Sequence, residues 1–291
     1  MGRLSPRKVE MTMLTSEQRE RFARDGFLVL DGFVPDAECD ALRARADALV
    51  AAFEPGSVRS IFTTEDQARN TDDYFLGSGD RVRFFFEEDA ISRDGELVVP
   101  KARAINKIGH AMHDLDPEFD RFSRAPRVAS IVADLGVVEP LLLQSMIIFK
   151  QPHIGGEVRF HQDATFLHTE PQSVLGLWFA LEDATEDNGC LWAIPGGHRA
   201  GLKSLFVRND DDTTTMHTLD SAPWEDAALV PLPVRKGALI ALHGLVPHMS
   251  KRNESPRSRA AYSLHVVSAR SAYPKTNWLR RAIPARGFGA A

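Results

Sequence analysis

The sequence predicts an α+β fold with a mainly β core, an antiparallel sandwich or barrel that carries helices on its outside. Helical segments dominate before about residue 140, and short β-rich runs dominate after it. Strands and helices do not alternate, which argues against a parallel βαβ sheet. With 291 residues, of which 43% are hydrophobic, the chain can bury a sizeable core. We expect a flexible leader over residues 1–14 and a single domain over residues 15–285.

The N-terminal part predicts two helices flanking a short strand. Thr15 and Gln18 have the spacing of a capping box, and Gly26 is expected to end the first helix. "FLVLDGF" follows as a strand. Residues 34–53 form an amphipathic pattern with Pro35 in the first turn. The stretches "AINKIGHAMHDL" and "PEFDRFSRAPRVASIVADLG" are also predicted to be helical.

The later part predicts a series of strands separated by Gly, Pro and Asn turns. The runs concerned are "LLLQSMIIFKQ", "EVRFHQD", "SVLGLWFALED", "CLWAIP", "GALIALHG" and "RAAYSLHVVSA". Because these runs follow one another without intervening helices, antiparallel pairing is favoured.

Composition excludes several classes of protein. The net charge of -5 gives no electrostatic reason to expect a nucleic acid or an anionic membrane as a partner. Two cysteines are too few for a disulfide framework and favour a reducing compartment. No apolar run reaches the ~20 residues that span a bilayer, and the N-terminus lacks the apolar centre of a signal peptide. We therefore expect a cytoplasmic protein without a nucleic acid or a membrane as partner.

A candidate metal site begins at "RFHQD". His161 and Asp163 lie two residues apart in a strand-like run, a spacing that places both side chains on one face of a strand. A buried carboxylate beside an imidazole is costly unless a positive charge compensates it. An exposed strand edge is the simpler interpretation of this pair alone, and a metal ion needs a third ligand.

His248 is the best candidate for that third ligand, because it lies where the run "GALIALHGLVPHMS" turns out of its strand. Two histidines and one carboxylate are the facial triad of non-haem Fe(II) oxygenases, although zinc hydrolases use a similar set. Rival assignments are weaker. The pair His168 and Glu170 falls in a predicted loop, and His243 is expected to be a packed residue.

Arg259 lies eleven residues after His248, at the start of a predicted apolar strand. A guanidinium that points into the interior is costly without an anion. A dicarboxylate co-substrate could place one end on the metal and pair its far carboxylate with Arg259. An ion pair with Glu254 at the surface is the alternative. This arginine favours an oxygenase over a hydrolase.

The chain resembles the phytanoyl-CoA dioxygenase family of Fe(II)- and 2-oxoglutarate-dependent oxygenases. The resemblance covers residues 15–280 and is carried by "DGFLVLDGF", "RVRFFFE", "INKIGHAMH", "QSMIIFKQPHIGGEVRFHQD", "LEDATEDNGCLWAIPGGH", "KGALIALHG" and "RSRAAYSLH". The presence of Asp163 disfavours the halogenating relatives, which lack this carboxylate.

The resemblance implies a double-stranded β-helix core, the jelly-roll or cupin-like fold, with iron bound by His161, Asp163 and His248. It also implies a set of residues around the co-substrate 2-oxoglutarate: Arg259, Ser250, Lys107, Met146, Gln162 and Trp178. Iron, 2-oxoglutarate and O₂ would then support hydroxylation of a C–H bond, with release of succinate and CO₂. His198 of "IPGGH" is expected to lie near the site without binding metal.

Two other functions remain open from the residues alone. One is a zinc-dependent hydrolase or isomerase on a cupin-like barrel, and the other is a sensor that binds metal and 2-oxoglutarate without catalysis. The family resemblance suggests an acyl-CoA or a small lipid as substrate, yet no basic cluster marks a site for the CoA phosphates.

Overall fold

A large and a small antiparallel sheet form the core of the computed structural model, which describes residues 12–56, 58, 60–61, 72–224 and 228–289. Residues 1–11 of the predicted leader lie outside this range. The large sheet has the strand order β1-β11-β6-β13-β4-β3-β2, and the small sheet has the order β10-β7-β12-β5. The described residues form thirteen strands, which include a separate hairpin, β8–β9. Their bounds are β1 Phe27–Leu30, β2 Val82–Phe86, β3 Ile105–His110, β4 Pro140–Lys150, β5 Val158–His161, β6 Leu175–Ala180, β7 Leu191–Ala193, β8 Ser204–Arg208, β9 Thr214–Thr218, β10 Val230–Leu232, β11 Leu239–His243, β12 His248–Ser250 and β13 Arg259–Ser268.

The two sheets pack face to face through an apolar layer. Trp178 and Ile240 on the large sheet share one buried cluster with Leu191 and Leu232 on the small sheet. Alternate residues of the same central strands point to the opposite face, where Phe179 and Leu239 belong to a second cluster. Because β6 is covered on both faces, all six of its residues are buried, which explains its uninterrupted apolar sequence.

Helices cover the outer face of the large sheet. Buried residues of α2, α6 and α7, such as Leu42, Phe122 and Ile131, belong to the same apolar cluster as Phe179 and Tyr262 of the sheet. The helices are α1 Ser16–Asp25, α2 Asp36–Ala52, α3 Asp73–Leu76, α4 Lys101–Ala104, α5 Met112–Leu115, α6 Pro117–Ser123, α7 Pro126–Asp134 and α8 Asp163–Phe166. The fold is therefore the predicted α+β jelly-roll, with helices on the outside of its β core.

The predicted start and end of the first helix are confirmed. Thr15 and Gln18 form a reciprocal capping box, and Gly26 adopts the left-handed conformation that ends α1. Helix α2 begins one residue later than predicted, since Pro35 is its N-cap instead of a residue of its first turn.

One predicted helix is wrong. The stretch "AINKIGHAMHDL" contains only the single turn of α5, and Ile105–His110 form strand β3 between β2 and β4. All six residues of β3 are buried. In so short a run, apolar spacing does not distinguish a helix from a strand covered on both faces, and sheet pairing decides. Lys107 therefore lies on a buried strand and not on an exposed helix.

No helix in the described part of the chain combines the length and the apolar character needed to cross a bilayer.

Candidate functional site

The three predicted metal ligands meet at one end of the small sheet. Strand β5 ends at His161, and β12 begins at His248, which is its cross-strand partner. Asp163 opens the short helix α8 immediately after β5. The prediction that His161 and Asp163 share one strand face is wrong in detail, because the chain leaves the strand between them. The turn into α8 brings the carboxylate back to the imidazole.

The geometry of this triad suits a single ion. The Nε2 atoms of His161 and His248 lie 3.8 and 3.7 Å from Oδ1 of Asp163. One donor atom from each residue fits within a span of 4.8 Å. Since metal bonds to imidazole and carboxylate are roughly 2 Å long, one ion can contact all three groups.

Backbone carbonyls orient both imidazoles. Nδ1 of His161 lies 2.9 Å from the carbonyl oxygen of Arg159, and Nδ1 of His248 lies 3.0 Å from that of Val246. We assign the ring proton to Nδ1 in both, because a carbonyl oxygen can only accept a hydrogen bond. Each Nε2 therefore presents a lone pair toward Asp163, as a metal ligand requires.

The protonation states also fit a metal site. Burial, together with the neighbouring His248, lowers the pKa of His161 to about 4. Burial alone would raise the pKa of Asp163, but the neighbouring His265 and His248 outweigh burial and hold that pKa well below its usual range. At neutral pH the carboxylate is charged and His161 is neutral, so neither must lose a proton to bind a cation.

Asp163 has a third histidine as a neighbour, which the sequence analysis did not identify. Nε2 of His265, on β13, lies 3.3 Å from Oδ1 of Asp163. The other carboxylate oxygen, Oδ2, is buried and has no hydrogen-bond partner among the described residues. Gly176 makes room for it, since a Cβ there would lie 2.6 Å from Oδ2. Strand periodicity could have revealed His265, because it lies six residues after Arg259 and even offsets share one face.

A small cavity of about 70 Å³ adjoins the triad. Four of the six residues expected around 2-oxoglutarate line it, together with the triad and His265: Met146, Trp178, Ser250 and Arg259. The structure therefore brings the predicted arginine and the three metal ligands to one cavity.

Arg259 is buried in this cavity, with 1% of its surface exposed. Its guanidinium donates to the carbonyl oxygen of Gly189 and lies 5.4 Å from the ring centre of Trp178. Burial lowers the pKa of Arg259 to about 10, so the group stays charged at neutral pH. Among the described residues, no carboxylate lies within 4.0 Å of it, which argues against the alternative pair with Glu254. A buried cation of this kind favours an anionic ligand.

Lys107 and Gln162 line a second, larger cavity of about 400 Å³, which also reaches the metal ligands His161 and Asp163. The amide of Gln162 is already engaged: it donates to the carbonyls of Gly201 and Leu245 and accepts from the amide of Lys203. Its side chain therefore holds loops together beside the triad. Lys107 is buried and lies 4.9 Å from the ring centre of Phe85.

The rival histidines lie elsewhere. His168 and Glu170 contact each other at 3.1 Å, and Glu170 is largely exposed. His243 packs against His198, with ring centres 5.0 Å apart, close to Gly26 at the end of α1. Neither His198 nor His243 lines either cavity. His198, expected near the site without binding metal, packs beside His243 and Gly26.

Comparisons with known proteins agree with this arrangement. The profile of the family described as phytanoyl-CoA dioxygenase (PhyH) matches residues 22–261. Phytanoyl-CoA dioxygenase domain-containing protein 1 of Bos taurus is 46% identical over 279 residues, which cover 93% of this chain and 96% of the relative. A phytanoyl-CoA dioxygenase of Arabidopsis thaliana is 46% identical over 270 residues, covering 92% and 94%.

Solved structures with low sequence identity share the fold. EctD from S. alaskensis, solved with 2-oxoglutarate and 5-hydroxyectoine, has a TM-score of 0.64 at 21% identity and covers 94% of this chain and 86% of its own. The non-heme alpha ketoglutarate dependent carbocyclase SnoK has a TM-score of 0.63 at 20% identity, with coverage of 90% and 87%.

Proposed function

The chain belongs to the phytanoyl-CoA dioxygenase family, and from this premise we propose that it is an Fe(II)- and 2-oxoglutarate-dependent dioxygenase that hydroxylates a C–H bond of a small molecule. The observation that carries the proposal is the small cavity, in which His161, Asp163 and His248 can hold a metal ion beside the buried cation of Arg259. The family supports the oxidative chemistry, and the cavity supports the identity of the co-substrate.

The donor set fits ferrous iron. Two neutral imidazoles and one carboxylate on one side of an ion leave positions open for a co-substrate, which is the ligand pattern of non-haem Fe(II) oxygenases. The unpartnered oxygen Oδ2 of Asp163 is a further acceptor at the same place. When bound, iron with 2-oxoglutarate and O₂ would supply the oxidising chemistry, releasing succinate and CO₂.

Arg259 and Ser250 would bind the far carboxylate of 2-oxoglutarate. The guanidinium can pair with both carboxylate oxygens, and burial strengthens that pairing because water does not compete for the charges. Trp178 and Met146 form apolar walls of the same cavity and would exclude water from the co-substrate. Lys107 would line the site from the side of the larger cavity, where burial lowers the pKa of its amine well below the usual value.

The larger cavity would hold the substrate. Its volume of about 400 Å³ falls in the range of cavities that bind small molecules. It reaches His161 and Asp163, so a molecule bound there would lie next to the reacting centre. The roles of the chain are then to orient the substrate and to keep water away.

Iron-dependent turnover tests the proposal. We expect the purified protein, loaded anaerobically with Fe(II), to release succinate from 2-oxoglutarate when air is admitted. Asp163→Ala should abolish succinate release and metal binding while the protein stays folded, because it removes the charged ligand. Glu170→Ala, which removes an exposed carboxylate beside a histidine, is the matched control and should keep wild-type turnover.

Three results would contradict the proposal. Succinate release by Asp163→Ala would refute the role of that carboxylate. Purification with stoichiometric zinc and no response to 2-oxoglutarate would indicate a hydrolase or isomerase. Tight binding of 2-oxoglutarate without decarboxylation, across a panel of substrates, would indicate a sensor.

A further inference from the structure

His110 contributes an unused polar atom to the wall of the larger cavity. The residue ends β3 and is fully buried. Three aromatic rings surround its imidazole, with ring centres 5.7 Å away for Phe75, 5.6 Å for Phe85 and 5.1 Å for Trp278. Packing therefore fixes the plane of the imidazole ring, and His110 is one of the residues that line the larger cavity.

A hydrogen-bond chain determines which ring nitrogen carries the proton. The hydroxyl of Ser78 donates to the carbonyl oxygen of Phe75. The same hydroxyl lies 2.7 Å from Nδ1 of His110. A hydroxyl has one proton to donate, so Ser78 must accept from His110, and the imidazole proton lies on Nδ1.

The other nitrogen, Nε2, then presents a lone pair. It is buried and has no hydrogen-bond partner among the described residues. Buried polar atoms of native proteins nearly always have a partner, and one without a partner at a cavity wall indicates a ligand. Burial also lowers the pKa of His110 well below its usual value, with a further contribution from Lys107, so the ring is neutral.

We propose that Nε2 of His110 accepts a hydrogen bond from a neutral donor, a hydroxyl or an amide-type N–H, on an otherwise apolar substrate. The inference rests on the proposed function and names the class of its substrate. The lining of the cavity includes the aromatic side chains of Phe166, Phe206, Trp224 and Trp278. Such walls bind flat or cyclic carbon skeletons, and a single polar contact fixes their orientation.

Burial around His110 disfavours a cationic donor. His110 and the nearby Lys107 are both buried, and burial lowers the pKa of Lys107 well below its usual value. An ammonium group in the same place would lose its hydration, which is costly without a compensating charge. A neutral hydroxyl satisfies the imidazole without adding charge, and the cavity reaches Asp163, so the anchored molecule would lie beside the metal ligands.

A pair of probes that differ in one donor tests the proposal. 2-Naphthol carries a hydroxyl where 2-methylnaphthalene carries a methyl group on the same ring system. Their dissociation constants would be measured by ligand-observed NMR titration of wild-type protein and of His110→Phe, which keeps an aromatic ring among its neighbours. We expect the preference for the hydroxyl probe to fall about tenfold in the variant, the effect of one lost hydrogen bond.

His243→Phe is the matched control, since it removes a part-buried imidazole that lines neither cavity. It should keep the wild-type preference. An unchanged preference in folded His110→Phe, or no binding of 2-naphthol to wild-type protein, would overturn the proposal.

A measurement on wild-type protein covers the case in which His110→Phe does not fold. In protein with ¹⁵N-labelled histidine, we expect Nε2 of His110 to be unprotonated and its signal to shift on addition of 2-naphthol. A protonated Nε2, or a signal that does not move, would contradict the proposal. These titrations need neither iron nor 2-oxoglutarate, so a protein that fails to bind the co-substrate would count against the proposed function alone.

Discussion

At the scale of single residues, the site is explained by two buried charged groups. Arg259 is the plainest case, because a buried guanidinium retains its charge next to a cavity and, among the described residues, has carbonyl oxygens and an aromatic ring as neighbours in place of a carboxylate. A protein tolerates such a group where a ligand supplies the opposite charge. Asp163 is the complementary case, since it is a carboxylate held among three histidines.

Replacing Arg259 should separate co-substrate binding from metal binding. We expect Arg259→Ala to weaken the binding of 2-oxoglutarate by about 2–5 kcal/mol, because one partner of a buried charge pair is lost. The affinity for Mn(II), used in place of iron, should stay as in wild type. Isothermal titration with each ligand measures both. Arg270→Ala, at an exposed arginine, is the control, and an unchanged 2-oxoglutarate affinity in Arg259→Ala would move the anion site elsewhere.

At the scale of elements, strand β6 supports the site with a residue that has no side chain. Gly176 pairs with His265 on β13 and with Leu242 on β11, directly beneath Asp163. A methyl group there would approach Oδ2 of Asp163 to 2.6 Å, which is closer than atoms in contact can lie. Because the carboxylate is the end of a side chain, it can move away while the sheet stays intact.

Gly176→Ala should therefore damage the metal site more than the fold. We expect Mn(II) affinity to fall at least tenfold while the urea midpoint changes little, since the displaced carboxylate no longer converges with His161 and His248. Titration of Mn(II) by electron paramagnetic resonance, together with urea unfolding, distinguishes the two effects. Equal losses of metal affinity and stability would instead indicate a general disruption of β6.

Some helices and strands could be predicted from the sequence, and others could not. The capping box of α1 and the long strands β4 and β13 could be predicted because local signals fix them: reciprocal caps in the helix and continuous apolar runs in the strands. Strand β3 could not, because its conformation is imposed by β2 and β4 on either side. The hairpin β8–β9 and the short strands β10 and β12 carry too few residues for a pattern.

The same distinction applies to the site. His161, Asp163 and His248 could be predicted from ligand chemistry and spacing, and family resemblance added Ser250 and Trp178. Gly176 could not be predicted because its importance lies in a contact with Asp163 across the sheet, which no local pattern displays. For His265 the even spacing from Arg259 along β13 was a usable signal that the sequence analysis did not apply. His110 escaped notice because its role depends on a proton position fixed by Ser78.

At the scale of the whole molecule, a buried carboxylate joins the helical layer to the C-terminal segment. Asp114 of α5 contacts Arg124 at 2.7 Å and Arg286 at 3.1 Å, and it is also paired with Arg281. The Asp114 side chain is 3% exposed. The contacts with Arg281 and Arg286 connect residues more than 160 positions apart, so they hold the C-terminal segment against the helices that cover the large sheet.

This network predicts a specific loss of stability in acid. Burial alone would raise the pKa of Asp114, but hydrogen bonds from His113, Arg281 and Arg124 outweigh burial and hold that pKa well below its usual value. A carboxylate whose pKa is depressed by folding stabilises the protein fully above its unfolded pKa, near 4, and this stabilisation is lost as the pH falls toward the folded pKa. The group should therefore contribute a slope of about 1.4 kcal/mol per pH unit below pH 4.

Asp114→Asn should remove that slope. At pH 7 we expect the variant to be about 3–5 kcal/mol less stable than wild type, because the buried arginines lose their charged partner. Below pH 4 the difference should shrink, since unfolded wild-type protein then binds a proton at Asp114 that the folded protein does not bind. Urea unfolding at a series of pH values measures both effects, and Asp94→Asn, at an exposed position, should follow wild type throughout. A difference between Asp114→Asn and wild type that stays constant from pH 7 to pH 3 would show that Asp114 acts through packing instead of charge.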